Sequence, residues 1–404
     1  MGGYNEAVLL DVVRRSADGI SQVQLTRETG LSPQTVSNIV RRLLDQGILK
    51  VVGMRGEGRG KPQTLLKLNA GSRYAVGLHL DPSIVTYVIC DMEGRIVSER
   101  SDTEAITNDA VSTVRNLADG VSHLLYEAPI DRALVPGVGI AAPGPVDLES
   151  GSIYAPRWLK SLERLDLAEA LSRALGLPVL LDKDTVAAAT GENWVAARDD
   201  LSALFIYVGT GIGSSLSVSG EVSRGYTNNA GEIGHLTVDP GGELCECGRR
   251  GCLGRASDPA WLVADAIRDG VLPDTGESSP HAVDVQVTSL CAMAESAQSP
   301  ARALLEHSAM AVAEAVRMLV AIHDPEKVIV GGPFWSRFEP YYLPAMERAL
   351  KDNPEKRLRT PSLHSSNVRQ HVEAVGAASL VLDAAYSPRP DTFLWDPKTP
   401  LAKL

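Results

Sequence analysis

The sequence predicts an α/β body with a winged helix-turn-helix at its N-terminal end and a closed metal site inside the body. Three observations lead there. From Tyr74 onward, strand-like runs alternate with helical ones, the order of an α/β fold. Ahead of them stand short capped helices and two strands. Within residues 235–252 fall one His and three Cys: His235, Cys245, Cys247 and Cys252. The expected division is residues 1–70 for the head, 71–200 and 201–386 for two α/β lobes, and 387–404 for an irregular tail with four prolines.

In the head, Val8, Leu9, Val12 and Val13 keep a helical rhythm that ends at Asp18-Gly19. Ser21 is placed to N-cap a second helix, with Gln24 as its capping-box partner and Ile20 stapling to Leu25. That helix should end at Gly30, because glycine tolerates left-handed dihedrals. Ser32 caps a third helix with Pro33 in its first turn. Val36, Ile39, Val40 and Leu43 fall at i, i+3, i+4 and i+7 and define its buried stripe. The opposite face carries Gln34, Thr35, Ser37, Asn38, Arg41 and Arg42. A polar, basic second helix after a glycine turn describes a helix-turn-helix, suited to base edges and phosphates of the major groove. Strands over Ile48–Val52 and Thr64–Leu68 would form a wing, whose tip residues Arg59 and Lys61 suit a minor groove.

The charge divides as two tasks would require. Residues 1–68 hold ten Lys/Arg and six Asp/Glu, and the other 336 hold 29 and 44. A basic head on an acidic body fits a chain that meets nucleic acid at one end only. Met1–Asp11 lacks the basic start and apolar core of a leader, and no apolar run reaches the ~20 residues that cross a bilayer. The expected location is therefore the cytoplasm, on the nucleoid when bound to DNA.

In the body, strands are expected over Tyr74–Leu80, Val85–Cys90, Arg95–Ser98, Val138–Ala141 and Val179–Asp182, and helices over Ala110–Tyr126 and Leu165–Leu175. A second set follows: strands Ala203–Val208 and Gly213–Val218, a helix around Ala301–Ile322, a strand Lys327–Val330 and a helix around Ala374–Tyr386. The recurring strand pair hints at internal duplication. Glycine clusters at Val208–Gly213 and Gly331–Pro333 read as tight turns at strand ends.

His235, Cys245, Cys247 and Cys252 supply four N/S ligands, the set of a closed tetrahedral Zn²⁺ site with a structural role. Three cysteines cannot all pair as disulfides, and a cytosolic chain disfavours such bonds.

The stretch Gly139-Ile-Ala-Ala-Pro-Gly-Pro-Val146, the run Val208-Gly-Thr-Gly-Ile-Gly213, and Ala230-Gly-Glu-Ile-Gly-His235 followed by Cys245-Glu-Cys-Gly-Arg-Arg-Gly-Cys252 resemble the ROK family of repressors, open reading frames and kinases. The match is to its repressor branch and covers nearly the whole chain. The resemblance implies a duplicated, actin-like (ribonuclease-H-type) body, zinc on His235 and the three cysteines, and homodimers or homotetramers. It carries Asp184, Glu232 and His235 over as ligands of sugar hydroxyls.

Two departures concern the sugar site. Lys183 stands where the family usually has Asn, and Gly254 where it usually has Glu. A cation at Lys183 suits an anionic effector, such as a sugar phosphate or sugar acid, if it faces the ligand; if it folds onto Asp184 or Glu232, the pocket is partly closed. A third departure concerns phosphate. Family kinases carry Asp-x-Gly-Gly-Thr, and here the segment reads Leu78-His79-Leu80-Asp81-Pro82-Ser83. Pro82 lacks an amide donor and Asp81 repels phosphate, so this loop should not support phosphoryl transfer. His79 reads as a half-buried, satisfied histidine. The expectation is a non-enzymatic, sugar-responsive regulator, probing a palindromic double-stranded DNA operator through paired heads.

Overall fold

Ser21 and Ser32 start the head's helices as their chemistry requires. In the computed structural model, which describes residues 2–55, 62–154, 158–196, 202–352 and 359–388, α1 (Gly2–Arg15) is followed by β1 (Ile20–Ser21), α2 (Gln22–Thr29) and α3 (Pro33–Asp45). The Ser21 hydroxyl accepts from the Gln24 amide while the Gln24 side chain accepts from the Ser21 amide, a complete capping box. Gly30 closes α2 at φ 68°. Ser32 caps α3, whose Val36, Ile39, Val40 and Leu43 are buried. The wing is β2 (Leu49–Arg55) paired antiparallel with β3 (Gln63–Leu68), and β1 pairs with the other edge of β3. The wing tip, with Arg59 and Lys61, lies outside the described residues, as does the tail from residue 389.

The body repeats one topology twice. In the first lobe β4 (Tyr74–Leu80), β5 (Val85–Asp91) and β6 (Ile96–Asp102) form an antiparallel meander. Helix α4 (Ala110–Glu127) leads to β7 (Val138–Ala142), parallel to β4. After the hairpin β8 (Val146–Asp147) and β9 (Ser152–Ile153) and helix α5 (Leu167–Leu175), β10 (Val179–Lys183) joins parallel to β7 and runs into α6 (Asp184–Ala196). The second lobe starts with the antiparallel strands β11 (Ser202–Val208), β12 (Ile212–Val218) and β13 (Glu221–Val222). The Cys-rich loop follows, then α7 (Leu253–Ser257), α8 (Pro259–Arg268), α9 (Pro280–Met293) and α10 (Pro300–His323). Strand β14 (Lys327–Gly331) lies parallel to β11; after α11 (Trp335–Lys351), β15 (Ser362–Ser365) lies parallel to β14, and α12 (Val372–Tyr386) ends the body. Sheet orders β6-β5-β4-β7-β10 and β13-β12-β11-β14-β15 match strand for strand. The duplication hinted at in the sequence is the actin-like one.

The last helix of each lobe crosses to the other lobe's sheet. Helix α6 packs on β11 and β12, α12 packs on β4 and β7, and the two helices pack on each other. Both are buried on nearly every side. Such contact requires bare backbone: a Cβ on Gly139 would stand 1.8 Å from the Ala377 carbonyl oxygen, and one on Gly376 2.0 Å from that of Ala187. A boundary drawn at residue 201 therefore splits the sequence but not the packing, since α12 belongs physically to the first sheet.

The head is not a loose appendage. Leu9, Leu10 and Val13 of α1 share one apolar cluster with Met92, Trp194, Val381 and Leu382 of the body. Arg14 donates to the Trp194 carbonyl oxygen at 2.9 Å and lies over the Trp194 ring. The Trp194 indole N–H in turn donates to the Met92 carbonyl at 3.1 Å.

Candidate functional site

The Cys-rich loop is folded by its own backbone. The Cys245 amide donates to Arg249 O at 2.8 Å, the Gly251 amide to Glu243 O at 2.9 Å, and the Leu253 amide to Leu236 O at 2.8 Å. These bonds bring His235, Cys245, Cys247 and Cys252 together, with their ligand atoms all within 4.8 Å of one another. Cys245 Sγ lies 3.6 Å from His235 Nδ1, and Cys247 Sγ 3.6 Å from Cys252 Sγ. A tetrahedron with metal–sulfur bonds of about 2.3 Å has edges of roughly 3.7 Å, which these two pairs match. The Arg249 amide and guanidinium pull the Cys247 thiol down, while burial and its bonds to Cys247 and Cys245 push the Cys252 thiol up. Behind the loop, buried Arg255 donates twice to Asp265 at 2.8 Å, reaches Glu243, and stacks over Trp261. This network fastens the loop to α8.

Of the residues carried over as sugar ligands, Asp184 sits where β10 meets α6, next to Lys183, and Glu232 and His235 lie in the loop between β13 and α7. Lys183 and Asp184 are buried at that junction. Lys183 Nζ lies 2.6 Å from Glu232 Oε1 and donates to Ala230 O at 3.2 Å. The Lys183 side chain is 3% exposed and that of Glu232 57%. The cation is thus neutralised by a protein carboxylate, the second of the two arrangements open to it. Asp184 accepts from the Thr185 amide at 2.7 Å, and burial pushes its carboxyl up to about 7 against the pull of Lys183. His235 belongs to the His/Cys cluster, with Cys245 Sγ 3.6 Å from its Nδ1. Arg224 pairs with Asp182 at 2.8 Å, and Val146 of the first lobe donates to Asn229 Oδ1 at 2.8 Å. The loop ahead of the metal site is thereby tied across the cleft, by residues that carry no motif of their own.

Around His79 the structure departs from expectation. His79 is 5% exposed, so it is fully rather than half buried. Its Nε2 is 3.5 Å from Tyr207 Oη and its Nδ1 3.9 Å from Glu373 Oε2. Desolvation drives the imidazole down to about 4, leaving it neutral. Glu373 is pushed up to about 8 by burial. Asp81 accepts from the amide and hydroxyl of Ser83 and holds its own turn. At the Val208–Gly213 glycine cluster the Gly209 amide donates to Gly211 O at 2.9 Å, a tight turn as read.

On α3, Gln34, Asn38, Arg41 and Arg42 are exposed, and Thr35 and Ser37 half-buried. Gln34 donates to Asn38 Oδ1 at 3.0 Å, which aligns two side chains on one face. Arg42 pairs with Glu6 of α1 and is partly spent on the head's own packing. Lys50 and Arg55 on β2 are exposed and extend the basic surface toward the wing; their place in a strand gave no helical spacing by which to find them.

A family model described as the ROK family matches residues 82–384, and one described as the MarR family matches residues 4–60. The DNA-binding transcriptional dual regulator NagC of Escherichia coli (strain K12) is 23% identical over 369 residues, covering 90% of this chain and 88% of that protein. The xylose repressor of Bacillus subtilis (strain 168) is 28% identical over 254 residues, covering 61% and 64%. The crystal structure of a ROK family transcriptional regulator, a homologue of the E. coli MLC protein, superposes with a TM-score of 0.74 at 23% identity, covering 95% of this chain and 96% of that one.

Proposed function

The chain belongs to the ROK family, and from that membership we propose that it is a DNA-binding transcriptional regulator, a repressor of carbohydrate-related genes, that senses a sugar or sugar derivative and does not phosphorylate it. The observation that carries this reading is the capped helix-turn-helix, with its polar basic face on α3, docked on a kinase-like body whose phosphate loop reads His79-Leu-Asp-Pro-Ser83. Relatives matched over most of the chain are described as a transcriptional dual regulator and a xylose repressor.

Zn²⁺ is the metal we assign to His235, Cys245, Cys247 and Cys252. Four N/S donors within 4.8 Å of one another fill a tetrahedral shell and leave no open position, so the ion would fasten the loop rather than activate water. The DNA-reading set is Gln34, Thr35, Ser37, Asn38, Arg41 and Arg42 with the wing residues Arg59 and Lys61; the partner is an operator with paired half-sites, read by a homodimer or homotetramer. No described helix is long and apolar enough to cross a membrane.

The effector site is Lys183, Asp184, Glu232 and His235. An anionic sugar would enter by taking Lys183 from Glu232, whose side chain is exposed enough to swing into water. The same ion pair favours a second reading, in which it fills the pocket and the regulator works without ligand. Replacing Lys183 by Asn separates them: calorimetry should then show affinity for neutral hexoses rising at least about tenfold relative to phosphorylated ones, the effect of removing one buried cation. Equal silence toward both ligand types in parent and variant supports the ligand-independent reading. Footprinting of the upstream region of the chain's own gene, with and without sugars, tests the function itself; protection that is absent throughout would overturn it.

Helix α12 offers the route by which cleft and head communicate. Its first turn carries Glu373 beside His79, and further along Val381 and Leu382 lie in the cluster that holds α1. Fifteen residues of helix span roughly 22 Å, so a shift at the cleft end is delivered to the head as a rigid displacement.

A further inference from the structure

We propose that Arg14 latches the DNA-reading head to the far end of helix α6, so that a change at Lys183 and Asp184, where α6 begins, is carried to the head. This deepens the regulator reading and rests on it, since the near end of α6 is the candidate effector site.

Arg14 stands in the last turn of α1, and its side chain is 11% exposed. Burying a guanidinium is costly unless its donors and its charge are both met. Its Nη1 donates to the Trp194 main-chain carbonyl at 2.9 Å and its Nη2 to Asp11 at 2.9 Å, and the guanidinium carbon lies 4.5 Å from the centroid of the Trp194 ring. Trp194 is itself 4% exposed, with its indole N–H bonded to the Met92 carbonyl. Leu9, Leu10 and Val13 share their apolar cluster with Val381 and Leu382, but apolar burial has no direction and lets surfaces slide. A guanidinium that is bonded and stacked at once fixes angle as well as distance. Because its acceptor is main chain, Arg14 follows the position of α6 itself and not the rotamer of a side chain.

At its other end α6 begins with Asp184, directly after Lys183, which pairs with Glu232 at 2.6 Å. Trp194 lies ten positions further on, about 15 Å along the axis. Helix α6 contains no proline and is buried on nearly every side, so a shift of its first turn reaches its last as a rigid displacement. On the way buried Glu192 accepts from the Ser366 hydroxyl at 2.7 Å and the Asn367 amide at 3.0 Å, just ahead of α12. The two routes to the head therefore differ in kind: α12 meets it through apolar contact, α6 through a directed bond.

The test uses the full chain with 5-fluorotryptophan at its five tryptophans, the Trp194 resonance being identified by Trp194→Phe. Lys183→Asn and Arg14→Gln, at opposite ends of α6, are compared alone and together. Without DNA, each should move the Trp194 fluorine line. On the footprinted operator, Lys183→Asn should change affinity at least about threefold in the parent, and less than about 1.5-fold in the Arg14→Gln background, the signature of coupled sites. An Arg14 that only stabilises the fold would leave the effect of Lys183→Asn intact; that result overturns the latch, as does a Trp194 line that ignores either substitution. Operator binding absent from every form would refute the regulator reading instead, and the fluorine lines would then decide on the latch alone. Thermal unfolding reports whether each variant is folded. If Arg14→Gln is not, Arg14→Lys decides, since lysine keeps the charge and the stem but cannot stack and bond at once.

Discussion

Cys252→Ser is expected to reduce bound zinc from one ion per chain to less than about a tenth, and to free the loop from Gly234 to Cys252. Cys252 is fully buried and stands directly before α7, so as a ligand it would tie the proposed ion to the body. Serine keeps the size but loses the soft ligand. Structural zinc binds with an apparent free energy of about 10–16 kcal/mol in zinc-finger peptides. Here Arg255, Asp265 and Glu243 hold part of the loop independently, so the loss should appear as local opening. Metal analysis together with limited proteolysis at Arg249-Arg250 reads it. A variant that keeps its zinc, or a metal-free loop as resistant to protease as the parent, contradicts the assignment.

Gly139→Val is expected to unseat α12 and to cost about 3 kcal/mol or more, the upper range of overpacking in a filled core. The overlap is with backbone, since the added Cβ would lie 1.8 Å from the Ala377 carbonyl oxygen and 2.5 Å from its carbon. No rotamer relieves it, so α12 must withdraw from β7. Because α12 also packs on α6 and reaches the head cluster, the damage should extend to DNA binding. Gly211→Ala, where an added Cβ meets open space, is the control and should be near neutral. Urea denaturation midpoints compare the two. Equal midpoints would mean that α12 is not held as described.

Local chemistry was legible in the chain. The Ser21–Gln24 box, the Ser32 cap and the α3 stripe depend on residues a few positions apart, the His/Cys3 set on residues within one loop, and each is present as read. Helices α6 and α11 escaped for physical reasons: α6 is buried on almost all sides and so has no apolar stripe, and α11 contains Pro340 and Pro344. The crossing of α12 onto the first sheet is a property of shape, written in Gly139 and Gly376 but undirected without the partner surface. At the site, the identity of Lys183 was informative while its partner was not, because Lys183 and Glu232 lie 49 positions apart and meet only through the fold. The pairing of Arg42 with Glu6 and the full burial of His79 were hidden in the same way.

On the function proposed above, this body reports a sugar to DNA without transferring phosphate to it. The most direct measurement is fluorescence anisotropy of the full chain on the footprinted operator, titrated with the sugar that calorimetry selects, with and without ATP. Operator affinity should fall at least about tenfold with sugar, a coupling of roughly 1.4 kcal/mol or more, equally with and without ATP. Operator affinity that ignores the sugar while ATP is consumed in its presence would make the protein a kinase and contradict the account.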